Sequence, residues 1–183
     1  MIETENLILR AVEPADVDLL YEWENDMRLW QVSNTIAPFS KYQLEQFVKA
    51  SSLDIYQTRQ LRMMIDVESE NEQQTAGMID LFDFEPYHNR AGVGIMIHEK
   101  WREQKIACRA LQLFIAYVAQ ELGIRNLYCN IAADNSASIR LFTSLNFELI
   151  GCKKEWLRVR TEYRDELMFQ LIIAQAGGNS ASS

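Results

Sequence analysis

The chain has 183 residues, of which 48% are apolar, 24% charged and 10% aromatic. That length suits one domain with a sizeable core, expected over residues 1–175, and the apolar fraction excludes a disordered protein. The net charge of −8 lies wholly in residues 1–72, which hold 14 acids against 6 bases, while residues 73–183 hold 12 of each. Without a basic stripe, nucleic acid is a poor partner. The acidic segment suits a cationic ligand or simply a soluble surface.

The longest apolar stretch, Leu171–Ala174 behind Leu167–Phe169, is too short to span a bilayer, so no membrane partner is expected. Met1-Ile2-Glu3-Thr4-Glu5 is acidic where an export signal needs positive charge, so the expected location is cytoplasmic. Cys108, Cys129 and Cys152 are odd in number and widely spaced, and His88 and His98 pair with none of them. Neither a disulfide framework nor a metal site is expected.

Asn6–Arg10 reads as a first strand. Pro14-Ala15-Asp16 opens a helix to about Asn25, with Val17, Leu19, Leu20 and Trp23 as its apolar face. Trp30–Phe39 has no period and is expected as a loop, and Ser40 starts a second helix through Leu44, Phe47 and Val48 to Ser51-Ser52. Gln60–Val67 and Ala76–Phe84 read as strands around a polar turn, Glu68–Gln74. Alternation puts Asp80 on one face of the second strand with Met78, Phe82 and Phe84, and Asp83 on the other. Ala91–His98 is a continuous apolar run of strand length.

Glu103–Leu122 carries a strong helical stripe from Ile106 to Leu122, ended by Gly123. Asn126–Ala132 is another strand, and Asp134-Asn135 caps a short helix to Leu145. Phe147–Gly151 and Tyr163–Ile173 read as a final antiparallel pair, whose apolar last strand leaves a homodimer open. Ala176–Ser183 is a tail with nothing to bury. The expected class is α/β (α+β): a central mixed, mostly antiparallel sheet of about seven strands packed by about four helices.

Four segments in this order carry a resemblance. They are Ala76-Gly77-Met78-Ile79-Asp80-Leu81, Asn89-Arg90-Ala91-Gly92-Val93-Gly94-Ile95, Asp134-Asn135 followed by Ser138, Leu141 and Phe142, and Leu145-Asn146-Phe147. Together they resemble the GNAT superfamily of acyl-CoA-dependent N-acetyltransferases, in the branch of ribosomal-protein and polyamine acetyltransferases. The resemblance implies acetyl-CoA as co-substrate and a primary amine as acceptor, either a small polyamine or a basic protein N-terminus. Antibiotic amines stay open as acceptors. Gln31-Val32-Ser33 lacks the acids that polyamine-acetylating members place near there.

By the same resemblance, a loop reading Arg102-Glu103-Gln104-Lys105-Ile106-Ala107 would bind the diphosphate of the co-substrate on its backbone amides. A helix start has unpaired N–H groups and partial positive charge, which suits a phosphate. Lys105 stands where the family has Gly. A left-handed backbone there makes its Cβ costly, whereas a right-handed one leaves the ammonium free to pair with phosphate. Ile95, Met96 and Ile97 would grip the pantetheine arm, one amide facing the thioester oxygen, and Asn135 would cap its helix and touch the arm.

The usual proton carriers are missing. Where many relatives have a tyrosine acid this chain has Phe142, and where many have a carboxylate it has Gly92. Asp80 ranks first as a replacement base, His88 at the turn could relay a proton, and Tyr128 reads as a core residue. The resemblance thus implies direct attack in a ternary complex with water-relayed proton transfer, or a catalytically weakened CoA-binding or partner-binding module of the same fold.

Overall fold

The computed structural model describes residues 1–4, 6–28, 30, 35–51, 53–69 and 72–174. The expected tail at 176–183, residues 31–34 of the loop expected over Trp30–Phe39 with Gln31-Val32-Ser33 among them, and the expected helix end at Ser52 lie outside the described residues.

Eight strands form one sheet: β1 (Ile2–Thr4), β2 (Leu7–Ala11), β3 (Leu61–Ser69), β4 (Glu72–Glu85), β5 (Arg90–Ile97), β6 (Asn126–Ala132), β7 (Glu148–Val159) and β8 (Glu162–Ile172). Their spatial order is β1-β2-β3-β4-β5-β6-β8-β7. Every neighbouring pair is antiparallel except β5 and β6. Five helices pack on it among the described residues: α1 (Val17–Glu24), α2 (Lys41–Ala50), α3 (Ile55–Thr58), α4 (Ile106–Glu121) and α5 (Ser136–Ser144).

The two extra elements, β1 and α3, are short and polar enough to lack a hydrophobic period. β1 is held by pairing with β2, and α3 by the Asp54 carboxylate accepting from the Tyr56 amide at 2.8 Å. The polar turn expected over Glu68–Gln74 is mostly strand. Glu68 pairs with Gln73 and Ser69 with Glu72, because a hydrogen-bonded ladder needs no apolar side chains.

Each sheet face has its own apolar layer. On one, Leu9, Ile65, Ile79, Leu81, Val93 and Leu127 meet Ala110, Leu111, Phe114 and Val118 of α4 and Phe142 of α5. Full burial of a Leu or Phe is worth about 1.5–3 kcal/mol each, so this layer anchors α4. Gly123, at φ 63°, then turns the chain out of the helix. On the other face, Met64 and Met78 meet Leu20, Trp23, Leu44 and Val48 of α1 and α2. Ser40 caps α2 reciprocally with Gln43, which fixes where that helix begins.

Candidate active site

β5 and β6 pair at only three positions: Arg90 with Asn126, Ala91 with Leu127, and Gly92 with Tyr128. Beyond Gly92, β5 stays paired with β4 out to Ile97, and β6 with β8 out to Ala132. The two facing edges therefore part into a slot lined by unpaired backbone. The His98 amide donates to Ala76 at 2.9 Å, which sets the alternation along β5. Met96 and Gly94 turn their peptide groups to β4, whereas Val93, Ile95 and Ile97 turn theirs into the slot. The Ile97 carbonyl accepts from Arg102 Nε at 3.2 Å, consistent with that direction. Of the three residues expected to line the arm, Ile95 and Ile97 face the slot and Met96 does not; Val93 joins them. Alternation from a known strand edge carries that signal, but the sequence does not say which edge is free.

The wide end of the slot lies beside the start of α4. No side chain caps this helix and no acid occupies its first turn. Its first intrahelical bond runs from the Arg109 amide to the Lys105 carbonyl, at 3.1 Å. The amides of Ile106, Ala107 and Cys108 thus point out of the helix start. Lys105 is left-handed, with φ 58° and ψ 11°, and Glu103 has φ 63°. The loop keeps a glycine-type conformation without the glycine, at a strain of about 1–2 kcal/mol per residue. Lys105 is exposed and forms no ion pair among the described residues. Around it, Lys100 bonds Gln74 at 2.8 Å, and Gln104 donates to the Lys100 carbonyl at 3.2 Å. Asn135 caps α5 by accepting from the Ser138 amide at 3.1 Å.

Both missing proton carriers have packing reasons. Phe142 is buried in the α4 layer, edge-on to Phe147 at 5.0 Å between centroids. At Gly92, a Cβ would stand 2.2 Å from Cε2 of Phe82, so the aromatic ring fills the space a carboxylate would need. Asp80 is engaged: Oδ1 accepts from Arg62 Nε at 2.6 Å and Oδ2 from Nη2 at 3.1 Å. The same guanidinium bonds Glu24 and lies over the Phe47 ring at 5.0 Å. Burial alone would lower the Arg62 pKa, yet the charges of Asp80 and Glu24 hold it above its ordinary value. His88 is exposed on the β4–β5 turn, edge-on to Tyr87.

Asp83 departs from the alternation expected of it. It has φ 50°, within a break in the β4–β5 register between Phe82 and Glu85. Such bulges re-aim side chains. Its carboxylate reaches the cavity side of the sheet, where Oδ2 accepts from Tyr128 Oη at 2.8 Å. A cavity of about 880 Å³ opens there, against β6, β7 and β8 on the face away from α4.

The family model of the acetyltransferase (GNAT) domain matches residues 6–148. The spermidine N(1)-acetyltransferase of Escherichia coli (strain K12) is 24% identical over 173 residues, which are 91% of this chain and 86% of that one. Among solved structures, a spermidine N-acetyltransferase from Vibrio cholerae in complex with CoA and spermine superposes with a TM-score of 0.83 at 18% identity, covering 91% and 95% of the two chains. A ribosomal L7/L12 α-N-protein acetyltransferase in complex with CoA gives 0.78 at 24% identity, covering 94% and 97%. The superpositions show that the chain has the same fold as these solved structures. The chain belongs to the GNAT family of acyl-CoA-dependent N-acetyltransferases.

Proposed function

We propose that this protein moves an acetyl group from acetyl-CoA to a primary amine by direct attack. The observation that carries the reading is the parting of β5 from β6 after Gly92, which leaves Val93, Ile95 and Ile97 without a strand partner on the β6 side. Unpaired amides at that edge can accept an extended arm as an added strand, and one of them can donate to a thioester oxygen as charge develops. The uncapped amides of Ile106 and Ala107, with Arg102, Glu103, Gln104 and Lys105 leading into them, suit the diphosphate. Asn135 contributes by holding the start of α5 beside the slot. When bound, acetyl-CoA supplies the activated acyl carbon; the chain's own part is to orient it, exclude water and take protons.

A covalent acyl-enzyme is disfavoured by the one thiol on the slot strands. Burial pushes the Cys129 thiol up to about 12, far from a thiolate at neutral pH. On the acceptor side, α1 and α2 carry the exposed acids Glu22 and Glu45. These favour a cationic acceptor, either a small polyamine or a basic protein N-terminus in the cytoplasm, and the last strands β7 and β8 offer a face for a second copy.

A second reading, a CoA-binding module with weakened catalysis, is favoured by the buried Phe142 and the blocked Gly92. One experiment separates them: thiol release from acetyl-CoA against a panel of polyamines, peptide N-termini and antibiotic amines, run beside thermal denaturation with CoA. Amine-dependent thiol release supports the enzyme. A stabilisation of about 2.7 kcal/mol at a hundredfold excess of CoA over its Kd, without turnover of any amine, supports the module. Neither response would overturn both.

A further inference from the structure

Tyr128 is the β6 partner of Gly92, in the last pair before the strands separate. Its side chain therefore stands at the vertex of the slot, on the side of the cavity. Phe82 holds the ring edge-on, 5.9 Å between centroids. The hydroxyl has one proton, and that proton is directed at Asp83 Oδ2, 2.8 Å away. What the hydroxyl turns toward the cavity is thus a lone pair, able to accept from an N–H.

Asp83 holds this arrangement at a cost. Asp83 sits in the left-handed region at φ 50°, and strained backbone concentrates where geometry serves chemistry. With a regular alternation its carboxylate would have pointed to the α4 layer. Instead it is exposed beside Tyr128, in contact with both the hydroxyl and solvent.

The surrounding charges come from several elements. β4 supplies Asp83 and Glu85, β5 supplies Arg90, and Arg59 precedes β3 with Nη1 3.8 Å from Glu85. Lys153 of β7 is paired with Glu166 at 2.7 Å. Burial, then the hydrogen bond and charge of Asp83, push the Tyr128 hydroxyl up to about 12, against a smaller opposing effect of Arg90. It stays protonated throughout the neutral range and so acts as a relay, not as a tyrosinate base.

We propose that an acceptor amine seated in this cavity loses its proton through Tyr128, with Asp83 positioning the hydroxyl and taking the proton onward. The inference rests on the acetyl-transfer reading above. As the neutral amine nitrogen bonds to the thioester carbon, it becomes cationic. One N–H proton then passes to Tyr128 Oη while the hydroxyl proton moves to Asp83 Oδ2. The carbon–sulfur bond breaks with its electron pair on sulfur, Asp83 releases the proton it took from the hydroxyl to solvent and regains its carboxylate, and solvent protonates the thiolate. The pair takes up the proton-accepting work of the carboxylate missing at Gly92, and solvent does the acid work of the tyrosine missing at Phe142. Tyr128 touches the substrate and is catalytic in this scheme; Asp83 acts through it.

The test uses the full chain with acetyl-CoA and the best amine of the panel. Tyr128→Phe keeps the ring against Phe82 and removes only the hydroxyl. It is expected to lower kcat by about a hundredfold, within the usual range for a lost general acid or base, with the KM for acetyl-CoA unchanged. Asp83→Asn is expected to lower kcat at least tenfold, and Asp83→Glu to recover part of that. Both deficits shrink as pH rises, because solvent then takes the proton unaided; a merely structural loss would not depend on pH in this way. Activity of Tyr128→Phe within threefold of the parent across the pH range overturns the relay and leaves acetyl transfer standing. Absence of turnover by the parent with every amine overturns both.

Discussion

The ring of Phe82 lies across Gly92 so closely that an added Cβ would sit 2.2, 2.5 and 2.6 Å from three of its carbons. The two residues are antiparallel partners, Phe82 on β4 and Gly92 on β5, so the contact is cross-strand and cannot be relieved by sliding. Glycine here is a packing requirement. Gly92→Ala is expected to destabilise by about 1–3 kcal/mol through overpacking. Combining it with Phe82→Ala should cost less than the sum of the two changes, measured as a double-mutant cycle in urea. Additive effects would show that the ring does not control the site.

Lys105 offers a substitution with opposite effects on stability and binding. Lys105→Gly removes left-handed strain at the start of α4 and is expected to stabilise by about 1 kcal/mol, after the entropy of the glycine is set against it. That gives a rise in Tm of about 2–4 °C for a chain of this size. CoA affinity should fall at the same time, more at low salt than at high, because on the proposed reading the lost ammonium sits beside the diphosphate. Calorimetric titration at two ionic strengths checks both. Equal affinity in both forms would remove Lys105 from the phosphate site.

Asp80 and Arg62 make a contrasting case. With both carboxylate oxygens on a half-buried guanidinium, Asp80 is placed to hold Arg62 between β3, β4 and α1. Asp80→Asn should lower stability by about 1–3 kcal/mol while kcat stays within severalfold. If Asp80 were the base, the pattern would reverse, with kcat lost and the denaturation midpoint kept.

The acid limb of stability has an identifiable contributor. Arg10 bonds Asp16 through Nη1 and Nη2, at 2.7 and 2.8 Å, and Asp66 through Nε at 2.6 Å. Burial opposes ionisation of Asp16, yet Arg10 and the Glu13 amide hold its carboxyl below the usual range. A depressed folded pKa gives stability that is complete above the unfolded value near 3.8 and is lost as pH falls through the folded one. Asp16→Asn should therefore cost about 1–3 kcal/mol at pH 7 and flatten the decline below about pH 4. Urea midpoints at pH 3, 5 and 7 give the comparison.

Where burial and periodicity coincide, the fold was legible. β6 spans Asn126–Ala132 as its alternation implies, and α4 follows its apolar stripe. β7 was foreshortened. It reads as Phe147–Gly151 but extends to Val159, with Lys153, Lys154, Glu155 and Arg158 on a strand held by its ladder to β8 and exposed along most of its length. Backbone pairing of that kind leaves no hydrophobic signature. The site shows the same division. The mouth of α4 was readable because loop and helix are contiguous in sequence. The Asp83–Tyr128 contact was not, since it spans 45 residues and depends on a bulge that reverses a side chain.

The two halves of the sheet are stitched by three residue pairs, with the remaining continuity supplied by the apolar layer beneath, to which Val93, Leu127, Phe114 and Val118 all belong. The gap between β5 and β6 is consequently a dimension set by methyl-sized contacts rather than by backbone bonds. On the acetyl-transfer reading, breadth of acyl-chain tolerance, acetyl against propionyl or longer, is expected to be adjustable from positions that never meet the substrate.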